Sequence, residues 1–248
     1  MATKVTDLPS RAGAFDGTET IACESGDGVA YHYTKFDEDW ERYGMVRAVD
    51  FLDGIRTDGE AIQAAIDYIY ENARDPDTNN TSGGTVLITQ KPGTTEQWKI
   101  EDKTVVIYGS GITVKGSGVG GAIVDGVNVP AFKFGQDHNP AHGGSGELDN
   151  NISAIFCHLV DISVRGLVGL TSGDPAVMMQ VGRNNTVQRC QITTYGSPNA
   201  GCIGHVENPD NVTGMYDVSI RDCNLAVHVS STERTSSIVH SLHWCPPL

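Results

Sequence analysis

Two histidine spacings, His138-x-x-x-His142 and His240-x-x-His243-x-Cys245, are short enough to approach one zinc ion. Neither supplies four ligands, and Pro140 argues against a helix that would present His138 and His142 on one face. The second set becomes complete only if His240, His243 and Cys245 meet symmetry mates near an axis. No metal or other cofactor is therefore expected. Acid–base chemistry would need two carboxylates on one exposed face. Candidates are Glu147 with Asp149 in the glycine-rich run HGGSGELDN, then Asp161, Asp174, Glu207, Asp217 and Asp222. Asp217 and Asp222 are an odd number of residues apart, so a regular strand would send them to opposite faces. The residues alone do not choose a catalytic set.

Arg165, Arg189 and Arg221 occupy comparable places in three similar segments and suggest an exposed basic ladder that could meet an anion. A solvated row paired with Asp161 and Asp222 is the favoured reading of the same residues. The run Gly116-Ser-Gly-Val-Gly-Gly121 matches a dinucleotide-binding G-x-G-x-x-G. A strand and a turn follow it rather than a helix, so no helix N-terminus is available for a pyrophosphate, and a tight turn is expected. Trp40, Trp98 and Trp244 could stack on sugar rings, although scattered tryptophans are more often packing anchors.

These side chains must be positioned by 248 residues of which 39% are hydrophobic, 19% charged and 29 are glycine, a composition of many turns rather than of a helical bundle. The length suffices for a sizeable core. The formal charge is -14, with no basic run, so direct nucleic-acid binding is disfavoured. No apolar stretch is long enough to span a membrane, and the start MATKVTDLPSRAG lacks a secretory h-region, so no membrane insertion or signal-directed export is expected. The six cysteines include no close pair and read as reduced, buried thiols, with Cys190 and Cys223 in similar apolar surroundings.

Residues 18–34 carry two strand-like runs about a Gly-Asp-Gly turn and predict a β-hairpin; residues 35–47 read as a linker, with a module boundary near 48. Ile62, Ala65, Ile66, Ile69 and Ala73 recur at helical spacing behind a Thr57-x-x-Glu60 capping box, which predicts one amphipathic helix over about 59–73. Beyond residue 74 the apolar runs are all strand-sized and separated by Gly, Asn, Asp or Pro. They echo weakly: Ile162-Ser-Val164-Arg165, Val187-Gln-Arg-Cys190-Gln-Ile192 and Ile220-Arg-Asp-Cys223-Asn-Leu225. The step from Val164 to Val187 is 23 residues and suggests a coil length, and the 33 from Val187 to Ile220 then requires a loop inserted within 199–211.

The segments VDFLDGIRTDGEAIQAAIDYIYENA, SGGTVLITQKPGTTEQWKI and VVIYGSGITVKGSGVGGAIV resemble the start of right-handed parallel β-helix proteins of the pectate-lyase-like superfamily. The likeness covers about residues 49–125 well and 150–230 only through the loose repeat. It departs at Gln90-Lys91-Pro92-Gly93-Thr94, where the family's usual Pro-Pro-Gly-Thr-Tyr has lost its first Pro and its Tyr. Residues 5–19 and 28–34 look like the short module that opens many bacteriophage tail fibres and tailspikes. Together the resemblances imply an all-β chain. Residues 1–48 would form a virion-attachment module contacting phage tail or baseplate proteins, and residues 49–248 a short β-helix shaft whose helix caps the first coil.

The same resemblances imply a homotrimer on the virion tail, assembled in the host cytoplasm, that recognises a host-surface polysaccharide or lipopolysaccharide. Family enzymes cut polysaccharides by hydrolysis with two carboxylates or by β-elimination with a basic residue, so polysaccharide depolymerisation is an open expectation. A non-enzymatic shaft or adaptor carrying another receptor-binding protein, and a free β-helix lyase or glycosidase, are the alternatives. In a glycan-binding protein Arg165, Arg189 and Arg221 would meet sugar carboxylates.

Overall fold

The computed structural model describes residues 20–24, 30–34, 44–73, 83–91, 94–135, 153–167, 174–195, 201–205, 215–228 and 234–244. Near the N-terminus β1 (Thr20–Glu24) and β2 (Ala30–Thr34) pair antiparallel, Thr20 opposite Thr34, as the hairpin reading expected. β3 (Met45–Arg47) leads through a 3-10 turn (Ala48–Phe51) into α1 (Asp58–Asn72). The helix begins where the capping box places it: Thr57 Oγ1 accepts from the Glu60 N–H at 3.3 Å, and the Glu60 carboxylate accepts from the Thr57 N–H at 2.9 Å. Among the described residues α1 is the one α-helix, and no helix is long and apolar enough to cross a membrane.

The rest is strand. In chain order follow β4 (Gly84–Ile88), β5 (Trp98–Ile100), β6 (Val105–Ile107), β7 (Gly109–Ser110), β8 (Ile112–Gly116), β9 (Ile123–Gly126) and β10 (Phe132–Phe134). Then come β11 (Ala154–Ile155), β12 (His158–Val160), β13 (Ser163–Gly166), β14 (Val177–Met179), β15 (Gly182–Arg183), β16 (Thr186–Gln188) and β17 (Gln191–Tyr195). The last are β18 (Ile203–His205), β19 (Met215–Tyr216), β20 (Val218–His228) and β21 (Arg234–Trp244).

Apart from the hairpin and β21, these strands build sheets whose neighbours are parallel and recur along the chain. One sheet runs β6-β10-β14-β18 and a second β7-β11-β15-β19. The third and largest runs β3-β4-β8-β12-β16-β20-β17-β13-β9-β5, with β21 antiparallel on β20. The chain is thus mostly β, with sheets of parallel strands and a single helix.

Register stacks like on like. Val86, Val114, Leu159, Val187 and Ile220 form one in-register column on the inner face of the large sheet, all buried. Phe132 and Phe134 lie between Val105 and Ile107 on one side and Val177 and Met179 on the other. Each such side chain withdrawn from water contributes roughly 1.5–3 kcal/mol before the entropy of ordering it. α1 lays Ala61, Ile62, Ala65, Ile66 and Ile69 on this core, beside β3, β4, β5 and β6. Asp58 at its first turn accepts from the Lys99 N–H of β5 at 2.7 Å and pairs with Lys91 at 2.6 Å.

The repeat differs from the sequence expectation in its step. Cys157 hydrogen-bonds Asn185, and Arg189 meets Asp161, each across 28 residues, so Val187 pairs Leu159 and not Val164. The 23-residue step matched two strands of different position. Val187 does pair Ile220, and Ile192 pairs Leu225, as the echo proposed. The echo segment Ile220–Leu225 lies within one longer strand, β20, which runs on to His228.

Candidate functional site

Short parallel strands need sharp corners, and this chain makes several of them with left-handed residues. Gly83, Gly111, Phe156, Asn184 and Asp217 precede β4, β8, β12, β16 and β20 at stacked positions, all with positive φ. A second row, Asp161, Arg189 and Asp222, turns the chain after β12, β16 and within β20. Asn and Asp tolerate this conformation because their short polar side chains can bond locally. Phe and Arg do not share that tolerance. Phe156 (φ 53°) therefore sits in a conformation costing about 1–2 kcal/mol while the residue is 51% exposed. Neither local propensity nor burial accounts for an aromatic ring there.

Between the two corner rows lies the outward face of β8, β12, β16 and β20. One column of it is Thr113, His158, Thr186 and Ser219; the next is Lys115, Val160, Gln188 and Arg221. Lys115 and Arg221 are exposed, Thr113, His158, Thr186 and Gln188 are half-buried, and Ser219 is buried. Arg221 Nε donates to Ser219 Oγ at 2.7 Å, which anchors one end of the guanidinium. Half-burial lowers the His158 pKa, so its imidazole is neutral near pH 7 and presents one donor and one acceptor. Phe156 and Asn184 border this face on one side, and Asp161 with Arg189 on the other. Hydroxyls, an amide, a neutral imidazole and cations beside an exposed ring make a surface suited to a polyhydroxylated, anionic ligand.

The arginines do not form one ladder. Arg165 lies on β13 beside Asp125 and Thr193, Arg189 sits at a corner between Asp161 and Asp222, and Arg221 is in the Lys115 column. The sequence echo had aligned residues that the corners displace by several positions. Each has its own partner. Arg165 makes two 2.6 Å hydrogen bonds to Asp125, whose side chain is 5% exposed, and this contact raises the arginine pKa. Arg189 makes bonds of 2.6 and 2.9 Å to Asp161. The expected pairing with Asp161 thus belongs to Arg189, and Arg189 also feels the charge of Asp222.

Of the carboxylate candidates, Asp161 is bound to a cation rather than to a second acid, and the arginine holds it below the ordinary 3.8. It is ionised at neutral pH and is no general acid. Asp174 is half-buried just before β14, away from both columns in the strand register. Asp217 and Asp222 occupy left-handed corners, so the alternation of a regular strand does not apply between them. Glu147, Asp149, Glu207 and Cys245 lie outside the described residues. His240 and His243 are both on β21, where His243 pairs Ser219 and so falls in the Thr113 column, whereas position 240 comes opposite the Asp222 corner. Among the described residues no three His, Cys, Asp or Glu side chains gather as a metal-binding group.

Residues 116–121 form a turn, where the Gly120 N–H donates to Ser163 Oγ at 3.1 Å and the Gly121 N–H to the Gly118 carbonyl at 2.9 Å. Trp98 is buried, its N–H on the Thr89 carbonyl at 2.7 Å and Lys91 over its ring, and is thus an anchor. Trp40 is outside the described residues, and Trp244 ends β21. Lys115, Phe156 and His158 had not been singled out in the sequence. Only Lys115 carried a signal, as the polar position of the alternating run ITVKG.

No family model matches the chain, and no curated protein matches it. Among solved structures it is similar to the ORF18 protein of Geobacillus virus E2, at 15% identity and a TM-score of 0.35. The match covers 87% of this chain and 46% of that one, so the chain spans less than half the length of that viral protein.

Proposed function

We propose that the parallel sheets form a right-handed β-helix and that the chain is a bacteriophage tail protein of the tailspike type, which binds a host-surface glycan on the outward face between Phe156 and Arg221. The N-terminal segment, residues 1–48, attaches it to tail or baseplate proteins, and the functional particle is a homotrimer. The solenoid reading is supported by the in-register recurrence of strands in the three parallel sheets and by α1 lying on the core beside the first strands. The tail reading rests on the order of the two sequence resemblances, an N-terminal attachment module followed by a capped shaft.

The observation that carries glycan recognition is Phe156, an exposed ring held in a left-handed conformation at the edge of a face of hydroxyls and cations. Strain of this kind persists at functional positions, and an exposed ring offers a flat apolar surface for a sugar. Asp161, the carboxylate candidate at this face, is committed to Arg189, which favours binding without cleavage over depolymerisation there. The chain is accordingly an adsorption protein in this reading.

The test is retention of the purified chain on immobilised bacterial capsular polysaccharides and lipopolysaccharides, neutral and anionic, with parallel assay of reducing ends and unsaturated uronates. Retention on anionic glycans, weakened about tenfold or more by Phe156→Ala and released by salt, with no new chain ends, is expected. Retention unchanged in Phe156→Ala, or release of oligosaccharide by the wild type, would overturn it.

A further inference from the structure

Cys190 and Cys223 are the residues that follow the left-handed corners Arg189 (φ 50°) and Asp222 (φ 51°). Their neighbours on either side are register partners: Gln188 with Arg221, and Gln191 with Asn224. Hydrogen bonds continue through the corner, from the Arg189 N–H to the Arg221 carbonyl at 3.0 Å and from the Asn224 N–H to the Cys190 carbonyl at 2.9 Å. The two cysteines are therefore directly stacked, with like backbone conformations before them and both side chains buried. Their thiols point alike, Cys190 Sγ to the Leu159 and Gln188 carbonyls at 3.4 and 3.2 Å and Cys223 Sγ to those of Val187 and Arg221, one strand on, at 3.5 and 3.2 Å. Neighbouring strands lie about 4.8 Å apart, inside the Cα window of roughly 4.4–6.8 Å that a disulfide accepts.

The other described thiols have no such mate. Cys157 stacks between Ile112 and Asn185, and takes the Asn185 side chain on its N–H at 2.9 Å. Cys202 directs Sγ to the carbonyls of Ile192 and Ala226, at 3.3 and 3.2 Å. The pair also lies at a weak point of the ladder: β20 and β21 are paired at Arg221 and at Cys223, and the pairing skips Asp222 between them. Arg189 beside it is half-exposed. Both thiols are buried, so a small oxidant would have to reach them through a local opening at this corner.

We propose that Cys190 and Cys223 are a redox-convertible pair, which a small peroxide closes into a disulfide stapling two successive strands of the large sheet. The Cys223 thiolate attacks a peroxide oxygen, breaking the O–O bond and leaving a sulfenic acid and hydroxide. The Cys190 sulfur, losing its proton to that hydroxide, then attacks the Cys223 sulfur and expels hydroxide, which takes up a proton. Two thiols and one hydrogen peroxide give one disulfide and two waters. The neighbouring Cys190 lowers the Cys223 pKa, which favours the thiolate on Cys223 and makes it the attacking group.

The experiment exposes the folded, purified full chain to hydrogen peroxide, quenches, unfolds, alkylates the remaining thiols and maps peptides. The expected product is one linked peptide pair joining Cys190 to Cys223, with Cys157 and Cys202 alkylated, and a Tm raised by about 5 °C or more because the crosslink restricts the unfolded chain. Cys157→Ser retains the linked pair. In Cys190→Ser the link is absent and Cys223 is trapped by a sulfenic-acid reagent instead. Alkylation of both Cys190 and Cys223, oxidation of Cys223 past sulfenic acid without a link in the wild type, or a link to Cys157 or Cys202 would each overturn the proposal. Mapping of the wild type decides it even if a variant fails to fold.

Discussion

Arg189 reaches back over 28 residues of chain to close two hydrogen bonds on Asp161, and both residues turn the strand with positive φ. One ion pair thus joins two stacked corners. Two opposed terms set its worth: a bidentate guanidinium–carboxylate contact, and the cost of an arginine in a left-handed conformation. Because the arginine side chain is 49% exposed, solvent screening limits the contact to about 0.5–1 kcal/mol.

The expected consequence is an unusual order among substitutions at residue 189. Arg189→Ala loses the contact and keeps the strained backbone, so it destabilises by roughly 0.5–1 kcal/mol. Arg189→Gly loses the same contact but relieves a strain of about 1 kcal/mol, and falls near the wild type. Urea denaturation of the two variants measures this directly. The pH dependence follows with its sign: Asp161 has its pKa depressed below 3.8, so the pair contributes fully above that value and fades as pH falls through the lower folded value. Asp161→Asn flattens that part of the stability profile.

Phe156 separates stability from recognition. Its ring is exposed and its backbone strained, so Phe156→Gly is expected to leave the protein as stable as the wild type or more stable, by up to about 1 kcal/mol. A ring kept for packing would instead cost about 3 kcal/mol or more when removed. A combined measurement of Tm and glycan retention distinguishes the cases, and a large loss of stability would remove the argument for a ligand-facing ring.

How far these features were legible depends on whether they are local. The helix was, because its capping box and its apolar spacing are written within one stretch of residues 57–73. The hairpin was legible for the same reason. Strand register was not: the corners at Phe156 and Arg189 place left-handed residues of types that do not announce them. A 28-residue step therefore looked like 23, and three arginines from different columns looked aligned. Cys190 and Cys223 escaped that error because both follow corners of the same kind, so their sequence surroundings match as their positions do.

Stacking also makes particular glycines irreplaceable. A Cβ added at Gly182 (φ 147°) would overlap the Ala154 carbonyl, and one at Gly135 (φ 81°) the Val181 carbonyl. Backbone in a close-packed parallel stack cannot withdraw without breaking its ladder. Gly182→Ala and Gly135→Ala are expected to destabilise by about 3 kcal/mol or more, or to prevent folding. Gly118→Ala is the contrast: its φ is also positive, but the space beside it is open, so the cost is that of backbone strain alone, about 1 kcal/mol. Soluble yield and denaturation midpoints of the three variants check the ranking.

Asn185 shows what an interior polar group does for such a corner. It is fully buried; its Oδ1 accepts from the Cys157 N–H at 2.9 Å, and its Nδ2 donates to the Ala154 carbonyl at 2.8 Å and toward Met215 Sδ at 3.1 Å. The Cys157 N–H, in the turn between β11 and β12, thereby takes its partner from the next strand level, and the Ala154 carbonyl of β11 gains a second donor. Asn185→Leu keeps the branching of the side chain and leaves the buried Cys157 N–H without this partner. The expected loss is about 1–3 kcal/mol. Asn185→Asp should be worse than its size implies at neutral pH. It removes the Nδ2 donor and leaves a buried carboxylate facing the Ala154 carbonyl, so its stability should recover partly as pH falls and the acid is neutralised. A profile that instead fell toward acid would show that the carboxylate had found a cation, and that the corner is less closed than its burial implies.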